Sequence, residues 1–340
     1  MRVGLLTGGG DCPGLNPVIR AAVRTGLREG YEMIGIRNGW KGMLENTTMP
    51  LNLTAVSGIL HRGGTILGTS RTNPYKDPAN IKKVDATFKA NKLDALIAIG
   101  GEDTLGVASK LHKDGFRVVG VPKTIDNDLS GTDVTFGFDT AVNIAMEAID
   151  RLHSTAESHQ RIMVVEVMGR HAGWIALHSG IAGGADLILI PEVPIKMEEV
   201  LGVIKNRHDQ GKDFSIIVVA EGAKFEGNEV LLEKKLDAFG HVRLGGIGEL
   251  LASKIEEKTG YETRVTVLGH IQRGGSATAF DRVLGTRFGQ KAVQLIKQGM
   301  FGHMAALRGN NVVSVPLEEG VGKLKTVGPE FYDMAKTFFG

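Results

Sequence analysis

Residues 116–128 read FRVVGVPKTIDND, and they indicate how the rest of the chain is organised. The apolar run at 117–121 predicts a short buried strand, which the following proline and turn-forming residues end. The heptad 122–128 therefore lies at a strand end, where open α/β sheets bind their ligands. Its lysine, threonine and two aspartates suit proton abstraction beside a metal-bound anion. Taken alone, the heptad is explained at least as well by an Asx-rich structural turn.

Strand-like and helix-like segments alternate along the whole chain. Strands are predicted at residues 2–7, 31–36, 93–99, 117–121, 162–168, 187–190, 214–220 and 263–268. Apolar residues at helical spacing predict one helix that begins at residue 16 and another that ends at residue 110. Further helices are predicted at 138–152, 172–182, 197–207, 247–258 and 278–297. Because the strand at 93–99 is almost entirely apolar, it fits the centre of a parallel sheet. The repetition predicts an α/β fold with mainly parallel sheets and helices on both faces.

Composition excludes several classes of protein. The chain has 340 residues and is 42% hydrophobic, which is enough for one large or two ordinary domains. Its longest apolar runs are strand-sized, and its first residues lack a signal-peptide pattern, so no membrane association is expected. Cys12 is the only cysteine, which excludes an intramolecular disulfide and favours a cytoplasmic location. Lys and Arg number 40 and Asp and Glu number 38, a balance that argues against nucleic-acid binding.

Glycine-rich loops follow several of the predicted strands. The 47 glycines are about twice the average usage. Those at 8–10 lead from a strand into a helix, a context in which backbone N–H groups bind phosphate, although a structural turn is the alternative. Pro13 replaces the third glycine of the dinucleotide fingerprint, and Thr69 replaces the lysine of a P-loop, so we reject both motifs. Arg71 remains a candidate phosphate ligand.

Charged residues recur at the other predicted strand ends. Glu102 and Asp103 follow a diglycine, and two acids so close together suggest a shared cation such as Mg²⁺. The alternative is that Asp103 or Thr104 only caps the next helix. In the second half, arginines and a histidine at strand ends suggest a phosphorylated substrate, because guanidinium groups match phosphate. These residues are Arg161, Arg170, Arg264, His270 and Arg273.

Taken together, the motifs resemble the 6-phosphofructokinase family. They lie at 8–11, 63–65, 100–104, 122–128, 168–170, 191–193, 220–222 and 269–275, in the family's order and spacing over almost the whole chain. The resemblance implies two Rossmann-like three-layer lobes and Mg²⁺-dependent phosphoryl transfer to the 1-hydroxyl of fructose 6-phosphate. It also implies a phosphoryl-donor lobe at residues 1–138 and about 272–323, and a sugar-phosphate lobe at 139–271 and about 324–340.

The resemblance assigns a role to each candidate site residue. Asp126 is implied to be the general base, with Thr124 and Arg170 as the other catalytic residues. Glu102 and Asp128 are the implied metal ligands. The phosphoryl donor is expected to contact Gly10, Arg71, Asp103, Thr104 and Lys123. The sugar phosphate is expected to contact Thr124, Asp126, Arg161, Met168, Gly169, Arg170, Glu221, Arg264, His270 and Arg273.

Two of these positions indicate the phosphoryl donor. ATP-using members of the family carry glycine where this chain has Asp103 and Lys123. A carboxylate at the first position would fill the space of the nucleotide's α-phosphate and ribose and repel it, while a lysine at the second adds a cation for a free diphosphate. The chain therefore resembles the pyrophosphate-dependent members, for which a reversible reaction is expected. An ATP-dependent enzyme with Asp103 turned outward is the alternative.

The resemblance also implies how the chain assembles. In the family, residues matching Arg161 and Arg264 reach into the site of a neighbouring subunit, so a homodimer or homotetramer is expected. Two other hypotheses remain, an NAD or lipid kinase and a catalytically silent sugar-phosphate-binding subunit. The first leaves the arginines of the second half unexplained, and the presence of Asp126 argues against the second.

Allosteric control is expected to be weak. Arg20 and Arg24 match basic effector-site positions of the allosteric bacterial enzymes. Leu53, His153 and Gln210 stand where those enzymes carry further basic residues. A phosphate effector would have fewer partners, so little control by nucleotides or phosphoenolpyruvate is expected.

Overall fold

Residues 1–227 and 244–340 are described in the computed structural model, and they form strands and helices in close alternation. In chain order the elements are β1 (Arg2–Thr7), α1 (Leu15–Arg28), β2 (Glu32–Ile36), α2 (Trp40–Glu45), β3 (Thr48–Leu51), α3 (Pro78–Ala90), β4 (Ala95–Gly100), α4 (Glu102–Lys113), β5 (Val118–Pro122), α5 (Phe138–His159), β6 (Ile162–Val167), α6 (Trp174–Ala182), β7 (Leu187–Leu189), α7 (Met197–Asp209), β8 (Ser215–Ala220), α8 (Ile247–Thr259), β9 (Thr263–Val267), α9 (Ala279–Lys297), β10 (His303–Arg308), β11 (Asn311–Pro316), α10 (Leu317–Gly320) and α11 (Pro329–Lys336). Short 3-10 helices lie at Pro74–Lys76 and Gly269–Arg273. In this part of the chain, no helix combines the length and the apolar character that a bilayer span requires.

A seven-stranded sheet organises the first lobe, in the order β11-β10-β5-β4-β1-β2-β3. The five inner strands are parallel, and the two edge strands β3 and β11 run antiparallel to their neighbours. Along β4, Ile97 and Ile99 join one buried cluster while Leu96 and Ala98 join another. Because alternate side chains of a strand point to opposite faces, these two clusters are the helix-covered faces of a three-layer lobe.

A second sheet organises the other lobe, with four parallel strands in the order β7-β8-β6-β9 within the described residues. Val165 and Val218 belong to the same buried cluster as one face of the first sheet, and Val164 and Val219 belong to a separate one. Helix α5 contributes Ile149 to the shared cluster. The predicted α/β fold with two Rossmann-like lobes is therefore confirmed.

All eight predicted strands are present, with ends that differ by at most two residues. Sequence patterns missed β3, β10 and β11, the strands that complete the first sheet. Strand β10 reads HMAALR, and alanine and methionine give little strand signal, although this strand is buried beside β5. The edge strands β3 and β11 contain prolines, which are tolerated there because an edge strand has an unpaired side.

The chain passes between the two sheets more than once. Helix α5 leads from the first sheet to the second, and β10 and β11 return to the first. The C-terminal α11 then packs on the second lobe, where Tyr332 Oη donates to Ile188 O at 2.9 Å. The proposed lobe boundaries near residues 138, 272 and 324 remain a prediction.

Candidate active site

The carboxyl ends of three neighbouring strands form one wall of a cleft. Thr7 of β1 pairs with Ile99 of β4, and Gly100 of β4 pairs with Pro122 of β5. This register places the loops after the three strands side by side. Arg170 and Arg273, from the second half of the chain, complete the cleft. Its lining residues are Gly9, Gly10, Asp11, Arg71, Gly101, Glu102, Asp103, Thr104, Lys123, Thr124, Ile125, Asp126, Asp128, Arg170 and Arg273.

Asp126 is the most deeply placed carboxylate of the cleft, with 5% of its surface exposed. Its N–H donates to Thr124 Oγ1 at 3.1 Å, and Thr135 Oγ1 donates to Thr124 O at 2.8 Å, which fixes the loop. Its Oδ1 is buried and accepts no hydrogen bond from residues 1–227 or 244–340. Buried polar atoms are normally paired, so an unpaired acceptor that lines a cleft is available to a ligand hydroxyl.

Asp128 and Glu102 line the cleft beside Asp126. Partial burial and the negative charge of Asp126 raise the pKa of Asp128 to about 7. Within the described ranges, no three histidine, cysteine or acidic side chains are grouped closely enough to cage a metal. Mg²⁺ is usually held by one or two carboxylates together with substrate phosphates and water. Crowded carboxylates that would gain from a nearby cation therefore fit a Mg²⁺ ion bound jointly with the substrate.

Lys123 lies at the end of the cleft beside the glycine loop, the end at which the phosphoryl donor is expected to bind and which is called the donor end below. Only 4% of its surface is exposed, and its Nζ donates to Gly10 O in the loop after β1. Burial lowers the pKa of its ammonium group. Asp103 lies in the first turn of α4 on the same cleft wall. The cation and the carboxylate at the two family-variable positions therefore both border the cleft.

Thr104 and Gly10 show how closely this end is packed. A Cβ at Gly8 would lie 2.6 Å from Thr104 Oγ1, so the threonine packs against the glycine loop as well as lining the cleft. A Cβ at Gly10 would lie 2.9 Å from Arg273 Nη1. Arg273 therefore lies directly against the glycine loop at residues 8–10. The alternative that Asp103 or Thr104 is only the cap of this helix is wrong, because the N-cap of α4 is Gly101.

The loop after β6 carries Arg170 in a left-handed conformation, with φ of 53°. The Arg170 N–H donates to Glu221 Oε1 at 3.1 Å. A Cβ at Gly222 would collide with Arg170 O, so only glycine fits at that position. Burial and the charge of Asp126 raise the pKa of Glu221 to about 7. Met168 is buried and Gly169 has φ of 144°, which completes a loop shaped to present Arg170.

Six of the ten predicted sugar-phosphate residues are not among those that line the cleft. Met168, Gly169 and Glu221 lie in the loops beside Arg170, whereas Arg161, Arg264 and His270 lie elsewhere. Arg161 lies just before β6, at the opposite end from Met168, which is roughly 20 Å away at the usual rise of a strand. Its Nη2 pairs with Glu262 Oε1 at 2.8 Å, and Arg264 pairs with the same carboxylate. His270 is exposed on the 3-10 helix. Sequence reasoning grouped these residues with the other strand-end residues, but Arg161 and Arg264 lie near amino-terminal strand ends.

The comparison with known proteins agrees with this geometry. The phosphofructokinase family model matches residues 2–296. The chain belongs to the phosphofructokinase family. The predicted resemblance is thereby confirmed, and with it the class of enzyme, a phosphotransferase.

Relatives within the family carry different donor names. The chain is 61% identical over 342 residues to a pyrophosphate–fructose 6-phosphate 1-phosphotransferase of Amycolatopsis methanolica, and the alignment covers 100% of both chains. It is 54% identical over 343 residues to an ATP-dependent 6-phosphofructokinase of Mycobacterium tuberculosis, again over 100% of both chains. The Pichia pastoris phosphofructokinase structure superposes with a TM-score of 0.82 at 32% identity, over 94% of this chain and 35% of that longer one.

Proposed function

We propose that this chain is a pyrophosphate-dependent 6-phosphofructokinase, which converts fructose 6-phosphate and pyrophosphate into fructose 1,6-bisphosphate and phosphate. The observation that carries the proposal is the pairing of the buried Lys123 with Gly10, next to the unpaired Oδ1 of Asp126. A cation for a diphosphate and a base for a hydroxyl thus share one cleft. Among the relatives, those named for pyrophosphate reach 61% identity.

Asp126 is proposed to act as the general base. The sugar 1-hydroxyl would donate its hydrogen bond to Oδ1 and give up its proton there as its oxygen attacks the terminal phosphorus. The bond to the bridging oxygen breaks, and phosphate leaves with that oxygen. Thr124 and Arg170 are proposed to position the phosphoryl group and to stabilise the charge on it, because alignment and charge stabilisation supply most of the catalysis in such transfers.

Lys123 and Asp103 are proposed to select the donor. The ammonium group of Lys123 is the cation beside the glycine loop, where the phosphates of the donor would meet backbone N–H groups. The Asp103 carboxylate lies at the cleft wall, where it would repel the additional phosphate and exclude the ribose of a nucleotide. Arg71 and Thr104 line the same end. An ATP-dependent enzyme is the second candidate, since a full-length relative at 54% identity carries that name.

Glu102 and Asp128 are proposed to hold Mg²⁺ at this cleft. When bound, Mg²⁺ would neutralise negative charge on the diphosphate oxygens. Glu102 Oε1 also accepts from the Gly322 N–H at 3.2 Å, which orients the carboxylate. Removal of divalent cations by a chelator should abolish turnover, and added Mg²⁺ should restore it.

Reversibility, weak regulation and a cytoplasmic location belong to the same proposal. Arg24 and Leu53 border one surface hollow, so an apolar side chain lies at the position where the resemblance implies a basic residue in the allosteric bacterial enzymes. The ring Nε2 of His153 lies 2.7 Å from Gly183 O, a contact that engages it within its own lobe. Fructose 6-phosphate turnover should therefore change little when nucleotides or phosphoenolpyruvate are added.

The decisive experiment is a donor comparison. Formation of fructose 1,6-bisphosphate would be measured with Mg²⁺ and either pyrophosphate or ATP, in the forward and the reverse direction. We expect turnover with pyrophosphate in both directions and a far lower kcat/KM with ATP. A higher kcat/KM with ATP would overturn the donor assignment, and no turnover with either donor would overturn the enzymatic proposal.

A further inference from the structure

Residues 322–327 form an interlobe strap that contacts both sides of the cleft. The Gly322 N–H donates to Glu102 Oε1 at 3.2 Å, and Leu324 forms an antiparallel bridge with Leu129. The Lys325 N–H donates to Asp128 O at 2.9 Å. This stretch reads GKLKTV, and nothing in its pattern singled it out as part of a site.

Lys325 is the centre of this strap. Its Nζ donates to Asn127 Oδ1 at 2.9 Å, to Thr132 O at 3.1 Å and to Asp133 O at 2.7 Å. A lysine ammonium group has three N–H donors, so all three are used within the loop that follows Asp126. Lys325 is not among the residues that line the cleft. Its contacts therefore bear on the shape of the loop and not on a bound substrate.

The loop at this point has a conformation that needs support. Asn127 lies between the two cleft aspartates with φ of 52°, in the left-handed region. Asparagine tolerates this conformation better than most residues other than glycine, and the conformation persists where the surroundings hold it. The Asn127 side chain accepts from the Thr135 N–H at 3.2 Å and from Lys325 Nζ. These two bonds fix the turn that directs Asp126 into the cleft.

The other side of Lys325 is held by the second lobe. Its Nζ lies 5.5 Å from the centre of the Trp174 ring, at the start of α6, and Trp174 Nε1 donates to Lys325 O at 2.9 Å. Two residues on, the Val327 N–H donates to Glu192 Oε1 at 2.9 Å, and Glu192 also accepts from the Gly173 N–H. Lys325 thus connects the loop that follows Asp126 to Trp174, at the start of α6 in the second lobe.

We propose that Lys325 is a positioning residue, which holds the loop 127–133 against Trp174 so that Asp126 keeps its place opposite the sugar-phosphate lobe. The inference rests on the proposed function for its assay. Because a displacement of about 1 Å in a catalytic group can cost on the order of 100-fold in rate, loss of this anchor should lower kcat more than it raises KM.

The test uses Lys325→Met, which keeps the length of the side chain and removes its donors. We expect kcat to fall about 10- to 100-fold with KM for both substrates within about threefold. Lys325→Arg should recover part of the lost kcat, because it restores a cation and several donors. The matched control is Lys336→Met, since Lys336 also lies 4.9 Å from an aromatic ring and pairs with Asp333, but on the surface. The kcat and both KM values of Lys336→Met should match those of the wild type.

Several outcomes would overturn the inference. An unchanged kcat in Lys325→Met would do so, as would a loss of rate that merely follows the fraction of folded protein, measured by thermal unfolding. If Lys325→Met does not fold, Trp174→Phe, which keeps a smaller aromatic ring but removes the Nε1 donor to Lys325 O, should still lower kcat. An unchanged kcat there would contradict us. If the wild type uses ATP in place of pyrophosphate, the donor proposal fails, and the same comparison proceeds with ATP.

Discussion

The donor end and the sugar end of the cleft are built in different ways. At the donor end, Lys123 and Asp126 are 4% and 5% exposed and come from a single loop after β5. At the proposed sugar end, the Arg264 side chain is 53% exposed and shares the Glu262 carboxylate with Arg161. One chain thus holds the proposed donor site and the proposed base by itself, whereas the proposed capture of the sugar phosphate by these two arginines would require a second chain.

Strand direction explains the difference. The loops after β1, β4 and β5 all leave the carboxyl end of one parallel sheet, so they meet without help from any other chain. Arg161 and Arg264 instead lie at or near the amino ends of β6 and β9, which pair in register. Mutations can test this comparison. A substitution at the donor end should impair the site of the chain that carries it, whereas a substitution of either arginine should impair the site of the neighbouring chain.

The largest effect is expected from Asp126→Ala. Removal of a general base typically costs 10²- to 10⁴-fold in rate, so kcat should fall by about that factor with a smaller change in KM. The measurement is steady-state turnover of fructose 6-phosphate with saturating pyrophosphate and Mg²⁺. Asp85→Ala is the control, because Asp85 pairs with Lys89 on the exposed face of α3. A rate for Asp126→Ala within a few-fold of wild type would exclude this base.

A double substitution, Asp103→Gly with Lys123→Gly, probes donor selection at the same end. Losing the buried cation at Gly10 and the repelling carboxylate should lower kcat/KM for pyrophosphate about 100-fold and allow measurable use of ATP. The KM for fructose 6-phosphate should stay within a few-fold, since the sugar end is untouched. If the donor preference of the double variant equals that of wild type, the steric and electrostatic account of these two positions is wrong.

Much of the donor end could be read from the sequence, because its parts are local. The apolar runs that became β4 and β5 predicted strand ends at residues 99 and 121, one residue short of the observed ends. The polar residues that follow were expected at one edge of a sheet. The glycine loop after β1 gave the same signal. In each case the candidate functional side chains lie within a few residues of the strand that positions them.

The remaining features depend on contacts between distant parts of the chain. Lys325 and Asn127 are 198 positions apart, and no local pattern connects them. The predicted strands at 162–168 and 263–268 already placed Arg161 and Arg264 at amino ends, but only the strand pairing shows that these two ends lie side by side. Asp281 is another example, since it lies in α9 and bonds to Thr140 in α5.

The contact between Asp281 and Thr140 joins α9 to α5 and should affect stability. Asp281 Oδ2 accepts from the Thr140 N–H at 2.8 Å and from Thr140 Oγ1 at 2.6 Å. Burial nevertheless raises the pKa of Asp281 to about 6 from 3.8. A carboxyl with a raised pKa favours the folded state below its unfolded value, and this contribution is lost as the pH rises from about 4 to 6.

Asp281→Asn removes this pH dependence. The free energy of unfolding of the variant, relative to wild type, should rise by about 2 kcal/mol between pH 4 and pH 7, measured with denaturant at several pH values. Thr140→Val removes a hydroxyl that lowers the pKa of Asp281. In this variant, the pH range over which the contribution of Asp281 to stability is lost should therefore extend to higher pH than in the wild type. A difference between Asp281→Asn and wild type that is constant with pH would exclude this carboxyl as the source.

The smallest effect is expected from Arg264→Ala at the sugar end. Loss of one charge-assisted hydrogen bond to a phosphate should raise the KM for fructose 6-phosphate about tenfold and leave the KM for pyrophosphate unchanged. Arg151→Ala is a suitable control, because Arg151 is an exposed arginine of α5 paired with Glu147. Equal increases in both KM values would contradict a role confined to the sugar end.

Coexpression decides whether that effect acts between chains. The double variant Arg161→Ala, Arg264→Ala would be expressed together with Asp126→Ala and assayed at fructose 6-phosphate well below KM. If each site combines one chain's base with its partner's arginines, random pairing leaves about a quarter of the sites with every residue intact, although each parent is nearly inactive. Recovered activity would therefore establish that the sugar end is completed by a second chain. Activity no higher than the mean of the two parent variants would mean that the arginines and the base of one site come from the same chain.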